Sequence, residues 1–344
     1  MRSTGKLIGN KIVVTKPKDI GRLYSKSHFG RLISNKSLEL DLLEASFLLD
    51  EDKIVIKKDK KNIDFESIVK LAAKKIDDFE IRYLVFKDLR KRGHSIGLRS
   101  KKEIATFSDY KDEIYIYVFS EKDFLKLKDT KDVLKITEEK GQKLWFGIVD
   151  EEGDITYYEV SMIDIKGNVK KHDFSKTKAF YFDNRVIIFD ENKSDDLFEK
   201  EFFGKPFGPG LQLSIIEALY LLEKGTIKIE SLDKKQIKKN EFIKNISSIK
   251  SAIKSRLFVF KDLKRRGLIV KTGFKFGADF RAYTKMPEKT HAEYLIYVVK
   301  EDFESDWLNI SRSVRLAHSV NKEILFALIS KKNIDYIKFG RLRP

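Results

Sequence analysis

The 344-residue chain carries 70 Lys and Arg against 53 Asp and Glu, a formal net charge of +17, and no cysteine. Without cysteine, disulfides, cysteine nucleophiles and thiolate metal sites are excluded. No apolar run reaches the ~18 residues of a membrane span, and the opening MRSTGKLIGNKIVV has too short an apolar stretch for a secretory signal, so a cytoplasmic protein is expected.

A chain of this length suggests about two domains of ~100 to 200 residues, and the sequence repeats itself accordingly. Residues 83–93, YLVFKDLRKRG, return at 257–267 as LFVFKDLKRRG, with seven of eleven positions identical. Phe29-Gly30 answers Phe203-Gly204, LDLLEASFLL (40–49) answers LSIIEALYLL (213–222), and EIYIYV (113–118) answers EYLIYV (293–298). The offset passes from 174 and 173 to 180, so the second copy gains six residues between Gly267 and Glu293. A period near half the chain describes two fused, equivalent folding units.

In chain order, the first copy gives a helix at 40–49, a charged helix ending at Gly93, a strand at 113–118, the acidic loop DEEGD (150–154) and a strand at 155–160. The charged, weakly apolar segment around 165–178 joins it to the second copy. There a strand at 186–189 and a charged helix lead to Phe203-Gly204, and the cluster Gly204, Pro206, Gly208, Pro209, Gly210 breaks the chain. Leu211, Ile215, Leu219 and Leu222 recur at helical spacing, which predicts a helix over 211–223 with Gly225 past its end. A strand at 226–229 and helices at 233–243 and 246–266 follow. Strands are predicted at 268–274, 279–284 and 293–299, then a helix at 306–319 and strands at 324–329 and 334–339.

The expected class is α+β: two tandem copies, each with a mainly helical N-terminal subdomain and a mixed α/β C-terminal subdomain. The copies span 1–170 and 171–344, the second dividing at about 267 into a front (178–267) and a back (268–344).

Charge is uneven along the chain. Residues 1–172 carry +6 and residues 173–344 carry +11, with +12 held by 231–290 alone. Basic surface interleaved with Phe274, Phe276, Phe280 and Tyr283 is the footprint of a polyanion partner; a solvated lysine-rich helical face is the plainer alternative. There is no G-x-x-x-x-G-K-[ST] phosphate loop. The five histidines (His28, His94, His172, His291, His318) form no ligand-spaced cluster. No metal or cofactor is therefore expected.

Three residues in the second copy remain for chemistry. Tyr283 closes a strand, His291 opens the next after the turn TKMPEKT, and Lys322 begins a later strand. Taken singly, such residues are ordinarily packing or solvated surface; ends of adjacent strands can bring them together.

The strings FGADFRAY (276–283), HAEYLIYV (291–298) and RLAHSVNKEILFAL (315–328), with GKPFGPGLQLSIIEALYLL (204–222), closely resemble the archaeal tRNA-splicing endonucleases. The resemblance covers nearly the whole chain. It extends to the homodimeric branch of that family, whose duplicated chain has a degenerate first copy and a catalytic second copy. It implies cutting of precursor tRNA at bulge–helix–bulge junctions without metal, leaving a 2′,3′-cyclic phosphate and a 5′-hydroxyl. Tyr283 would take the proton of the attacking 2′-hydroxyl, His291 would protonate the leaving 5′-oxygen, and Lys322 would stabilise charge on phosphorus. An imidazole of reference pKa ~6.5 suits the acid role, and a fixed ammonium suits the electrostatic one. A phenol of reference pKa ~10 needs neighbouring cations to act as a base.

The family grips a bulge base between two arginines. Arg315 is the leading candidate, then Arg341 and Arg312. An offset of 179 aligns Lys143 with Lys322 and sets DEEGD against ISKKN (329–333), a change in charge from −4 to +2. By the resemblance, the acidic loop Asp150, Glu151, Glu152 and Asp154 would dock into a basic pocket of the partner in a C2 homodimer. The two copies within one chain are expected to join through 155–160 and 334–339. A non-catalytic RNA-binding or scaffold protein of the same fold is the main competing reading. A metal-dependent DNA nuclease, which EDTA would silence, is a third.

Overall fold

The computed structural model describes all residues except 1, 35, 99–106, 110, 112, 183–184, 247–251, 288–290 and 332. Part of the expected helix 246–266, part of the proposed insertion and one lysine of ISKKN thus lie outside the described residues.

The front of the first copy is built on short strands: β1 (Ser3–Ile8), β2 (Lys11–Val14), β3 (Arg31–Ser34), β4 (Ser37–Leu40), β5 (Ile54–Lys58) and β6 (Lys61–Ile63). They form a six-stranded sheet in the order β3-β4-β2-β1-β5-β6. Helix α1 (Pro17–Ile20) follows β2, and α2 (Leu42–Asp50), α3 (Phe65–Ala73) and α4 (Phe79–Lys91) complete the layer. Ile12, Leu38, Leu40 and Ile56 from the sheet and Leu43, Leu48, Val85 and Phe86 from the helices make one core. The back contains β7 (Ile96–Leu98), β8 (Phe107–Asp109), β9 (Ile114–Ser120), β10 (Phe124–Lys126), α5 (Leu127–Glu139), β11 (Lys143–Val149) and β12 (Ile155–Met162).

The second copy repeats this plan. Its front holds β13 (Thr177–Phe182), β14 (Arg185–Ile188), α6 (Glu191–Glu201), β15 (Lys205–Phe207), β16 (Gly210–Leu213), α7 (Ile215–Glu223), β17 (Ile227–Glu230), β18 (Gln236–Ile237), α8 (Lys239–Asn245) and α9 (Ile253–Arg265). The sheet order β15-β16-β14-β13-β17-β18 matches the first sheet strand for strand. Its back holds β19 (Ile269–Thr272), β20 (Phe280–Tyr283), β21 (Tyr294–Lys300), β22 (Glu304–Asp306), α10 (Trp307–Ser319), β23 (Glu323–Ser330) and β24 (Asn333–Leu342).

The fronts are therefore not mainly helical, contrary to the expectation from sequence. Gly204 and Gly208 sit at φ of +62° and +57°, and the Gly/Pro cluster folds into the hairpin β15–β16 rather than a simple break. Leu211 and Leu213 are buried while Gln212 between them is not, a period of two that belongs to a strand. Helix α7 starts only at Ile215, where Ser214 and Glu217 form a capping box. Likewise 236–237 pairs as β18, so α8 begins at Lys239 instead of 233.

The two backs merge into one ten-stranded sheet, β19-β20-β21-β23-β24-β12-β11-β9-β8-β7. Its seam is the antiparallel pair β12–β24, from Tyr157↔Leu342 to Met162↔Ile337, the two segments expected to join the copies. Helices α5 and α10 cover one face, burying Leu127, Leu134, Trp307 and Val314 against Phe146, Phe326 and Phe339. Trp307 is 1% exposed, and burying a side chain of this size contributes roughly 1.5–3 kcal/mol or more. Its ring stacks on Tyr158 of the first copy at 6.1 Å and 9°. Helix α9 lies on the opposite face against β19 and β21.

Candidate active site

Strand pairing brings three sequence-distant positions to one end of the ten-stranded sheet. β20 runs antiparallel to β21, with Arg281 opposite Leu295 and Ala282 opposite Tyr294. β21 runs parallel to β23, with Tyr294 beside Glu323. Just past these pairs the Glu293 N–H donates to the Ala282 carbonyl (3.1 Å), and the Glu323 N–H donates to the Glu293 carbonyl (2.8 Å). Tyr283, Glu293 and Lys322 are thus level on neighbouring strand ends. Alternation then sorts the faces: Phe280, Ala282, Ile296 and Leu325 enter the core shared with α9, and Leu295 and Ile324 enter the one beneath α10.

Tyr283 is 6% exposed and packs with Ile269 and Ala292, against Val169, Phe202 and Met286. The Arg281 guanidinium carbon lies 5.9 Å from its ring centroid. His291 is exposed and sits beside Ala292, one of the residues packed on Tyr283. Glu293 anchors the residue that follows Tyr283: its carboxylate accepts from the Thr284 N–H (3.1 Å) and the Thr284 hydroxyl (2.9 Å).

Lys322 is half-buried; its ammonium donates to the Val320 carbonyl (3.4 Å) and lies 5.7 Å from the Phe276 ring centroid. Burial holds this ammonium below the usual lysine range; Arg281 and Lys275 push the same way and Glu293 opposes them. The site therefore collects three cations around one carboxylate that is already engaged by Thr284. Arg281, Lys275 and Glu293 were not singled out from sequence. Arg281 was findable, since it stands two residues before Tyr283 and a period of two puts both on one face.

The segment joining the copies forms part of this wall. The N–H groups of Gly167, Asn168 and Val169 donate to the carbonyls of Arg266 (2.9 Å), Thr284 (2.7 Å) and Gly267 (3.0 Å). A Cβ on Gly167 would stand 2.2 Å from the Gly267 carbonyl oxygen, so only glycine permits this approach.

Among the candidate RNA-binding arginines, Arg315 on α10 and Arg341 on β24 meet at Tyr158. Arg341 pairs with Tyr158 across the seam, and the Tyr158 hydroxyl donates to the Ser311 hydroxyl (2.9 Å). Burial pushes that phenol upward, while Ser311, Arg341 and Arg315 pull against it. Arg312 is exposed on α10 and does not share this contact set. The acidic loop is the β11–β12 turn. Asp150 accepts from the Glu152 and Asp154 N–H groups (3.0 and 2.9 Å), Glu151 pairs with Lys122, and Glu152 and Asp154 are exposed.

The register corrects the alignment at Lys143 and supplies that of the Phe107 strand. Lys143 pairs with Ile114 as Glu323 pairs with Tyr294, and its N–H bonds Glu113 as that of Glu323 bonds Glu293. The counterpart of Lys322 is therefore the buried Gln142, whose N–H bonds Thr137 as that of Lys322 bonds Ala317. Lys143 does not stand in the lysine's place. The offset of 179 failed because the β11–β12 turn, 150–154, is one residue longer than the β23–β24 turn, 330–333. Second, Phe107 pairs with Ile116 as Phe280 pairs with Ile296. The residue following Asp109 in sequence is Tyr110, as Tyr283 follows Ala282; Tyr110 itself lies outside the described residues. What the first copy lacks is the loop: Tyr110 and Glu113 are three positions apart, Tyr283 and Glu293 ten.

A cleft of about 410 Å³ separates the second front sheet from the β19–β20 hairpin and is lined by Arg185, Gln212, Ser214, Arg256, Phe274 and Asp279. Arg256 and Asp279 pair at 2.5 Å. Among the described residues, no group of three or more His, Asp or Glu is placed to hold a metal ion, and no helix is long and apolar enough to cross a membrane.

The strand-end cluster thus lies on a fold whose front sheet is built twice with the same strand order. Residues 253–336 match the tRNA intron endonuclease catalytic C-terminal domain, and residues 3–69 and 178–243 both match the N-terminal domain of that family. The chain is 35% identical over 352 residues to the tRNA-splicing endonuclease of Methanococcoides burtonii, covering 98% of this chain and 99% of the relative. It is 34% identical to that of Methanosarcina barkeri, at 98% and 99% coverage. A shorter relative from Methanothermobacter thermautotrophicus is 40% identical over 148 residues, 42% of this chain and 85% of the relative. The chain belongs to the tRNA-splicing endonuclease family and carries its catalytic domain.

Proposed function

We propose that this protein excises introns from precursor tRNA by cutting at bulge–helix–bulge junctions, without metal, in the cytoplasm. The observation that carries the reading is the levelling of Tyr283, Glu293 and Lys322 on adjacent strand ends, within the part of the chain that matches the catalytic domain, with His291 on the loop between the first two. Tyr283 accepts the 2′-hydroxyl proton, and the 2′-oxygen attacks phosphorus. The bond to the 5′-oxygen breaks as His291 protonates it, and Lys322 neutralises charge on the non-bridging oxygens. The products are a 2′,3′-cyclic phosphate and a 5′-hydroxyl.

Arg315 and Arg341 are the pair proposed to hold a bulge base, supported by Arg341 standing opposite Tyr158 and Arg315 donating to the carbonyl of Ser311, the residue that also binds the Tyr158 hydroxyl; planar stacking on a splayed base is the usual mode of single-stranded RNA recognition. Arg312 is the reserve. The chain divides, on this reading, into a non-catalytic copy (1–170) and a catalytic copy (171–344) that arose from one duplicated unit. The matched strand orders and the twice-matched N-terminal domain support this. In a C2 homodimer, Asp150, Glu151, Glu152 and Asp154 dock against the partner's catalytic copy.

Purified protein incubated with a bulge–helix–bulge RNA in EDTA tests the reading. Cleavage to cyclic-phosphate ends is expected, and His291→Ala should bind the RNA while cleaving ~10²–10⁴-fold more slowly. Uncut RNA would leave a non-catalytic RNA-binding protein, and cleavage only with added metal would leave a metal-dependent nuclease.

A further inference from the structure

We infer that Arg281 is a fourth catalytic residue, which donates to a non-bridging oxygen of the scissile phosphate and shares with Lys322 the charge that builds on it. The inference rests on the proposed function and adds a group to the same site. Arg281 projects from β20 on the face used by Tyr283, and its guanidinium lies over the Tyr283 ring. Lys322 stands level with Tyr283 and Glu293 on the neighbouring strand ends, so both cations belong to one strand-end cluster. Yet the Arg281 Nε is buried and has no hydrogen-bond partner among the described residues. Arg281 also makes no ion pair there within 4 Å, while the nearby carboxylate, Glu293, is occupied by Thr284. A buried donor left unmade costs roughly 1–3 kcal/mol, and two neighbouring cations repel. That combination is expected where an anion completes the site.

The internal copy supplies an independent observation. The strand framework is retained, but Ser108 stands where Arg281 does and Gln142 where Lys322 does. Both cations are absent together from the copy that also lacks the His291 loop. The charge arithmetic agrees: a phosphodiester carries one negative charge, and attack by the deprotonated 2′-oxygen brings a second to the pentacovalent phosphorus. One ammonium balances the ground state; a second cation is needed most in the transition state, where it accelerates the reaction. Arg281 is suited to this by its directional N–H donors.

Single-turnover cleavage of a bulge–helix–bulge RNA by the full-length protein tests the assignment, using all-oxygen RNA and both phosphorothioate diastereomers at the scissile phosphate. Arg281→Gln is expected to slow all-oxygen cleavage by ~10²-fold or more, with RNA affinity within about threefold of wild type. Wild type should cut one diastereomer at least ~10-fold more slowly than the other, and Arg281→Gln should close that gap. A variant rate within threefold of wild type, an unchanged diastereomer gap, or no gap in wild type would each overturn the inference. Should Arg281→Gln fail to fold, Arg281→Lys read by the same diastereomer gap decides, a gap as wide as in wild type counting against the contact. Wild type that leaves all-oxygen RNA uncut refutes the proposed function itself, whereas a cutting wild type matched by Arg281→Gln refutes only the role of Arg281.

Discussion

Replacing Lys271 with methionine removes the charge that lets a buried carboxylate stay ionised beside the active-site wall. The Lys271 ammonium donates to Glu217 (2.8 Å) and to the carbonyls of Gly204 (2.6 Å) and Phe202 (3.1 Å). The two side chains are 12% and 3% exposed. Burial pushes the Glu217 carboxyl upward, but Lys271 and Ser214 overcome it and hold it below its ordinary range. The first copy shows the alternative. Glu44 occupies the equivalent position and accepts from the Gly30 N–H (2.7 Å), yet Gly97 stands where Lys271 does, and burial raises the Glu44 carboxyl from 4.5 to about 8.

Lys271→Met should convert Glu217 into a second Glu44. Breaking a buried pair from one side costs ~3–5 kcal/mol, and the two abandoned carbonyls add a share that does not depend on pH. The sign of the pH dependence follows from linkage. In wild type, Glu217 lies below its unfolded value, so its contribution is complete above about pH 4.5 and flat from pH 5 to 8. In the variant the raised carboxyl loses stability as pH climbs from about 4.5 towards 8, up to ~4 kcal/mol between pH 5 and 8. Glu44 titrates in both proteins and cancels. Urea unfolding followed by circular dichroism at pH 5 and pH 8 measures this, and adding Glu217→Gln should abolish the extra loss at pH 8. A destabilisation equal at both pH values would refute the reasoning.

Gly167→Ala should lower the melting temperature and slow cleavage, because its Cβ meets the Gly267 carbonyl at 2.2 Å and must push the connecting segment off Thr284; Gly97→Ala, with nothing within 4 Å among the described residues, is the neutral control. Equal melting temperatures for the two variants would contradict the packing argument. Glu152→Lys with Asp154→Lys should give monomers in light scattering, whereas Asp150 is left alone because its carboxylate holds the turn. An unchanged dimer mass removes the acidic loop from assembly.

The sequence by itself determined the repeat, the back strands and the long helices, because burial on one face imposes a periodicity that survives in any reading of the chain. It also brought out Tyr283, His291 and Lys322 by resemblance. The fronts were misread where strands of three or four residues are too short for a period of two to stand out against a helical one, as at Leu211 and Leu213. Arg281 escaped because its significance lies in what it fails to pair with, which is a property of space. Only the tertiary structure decided which residue of the first copy answers Lys322. A one-residue difference in turn length shifts a linear alignment by one, and in a sheet one residue changes the face. The hydrogen bonds between strands fix Gln142 there, and the strand register sets Ser108 in the place of Arg281, so the copy that keeps the frame lacks both cations.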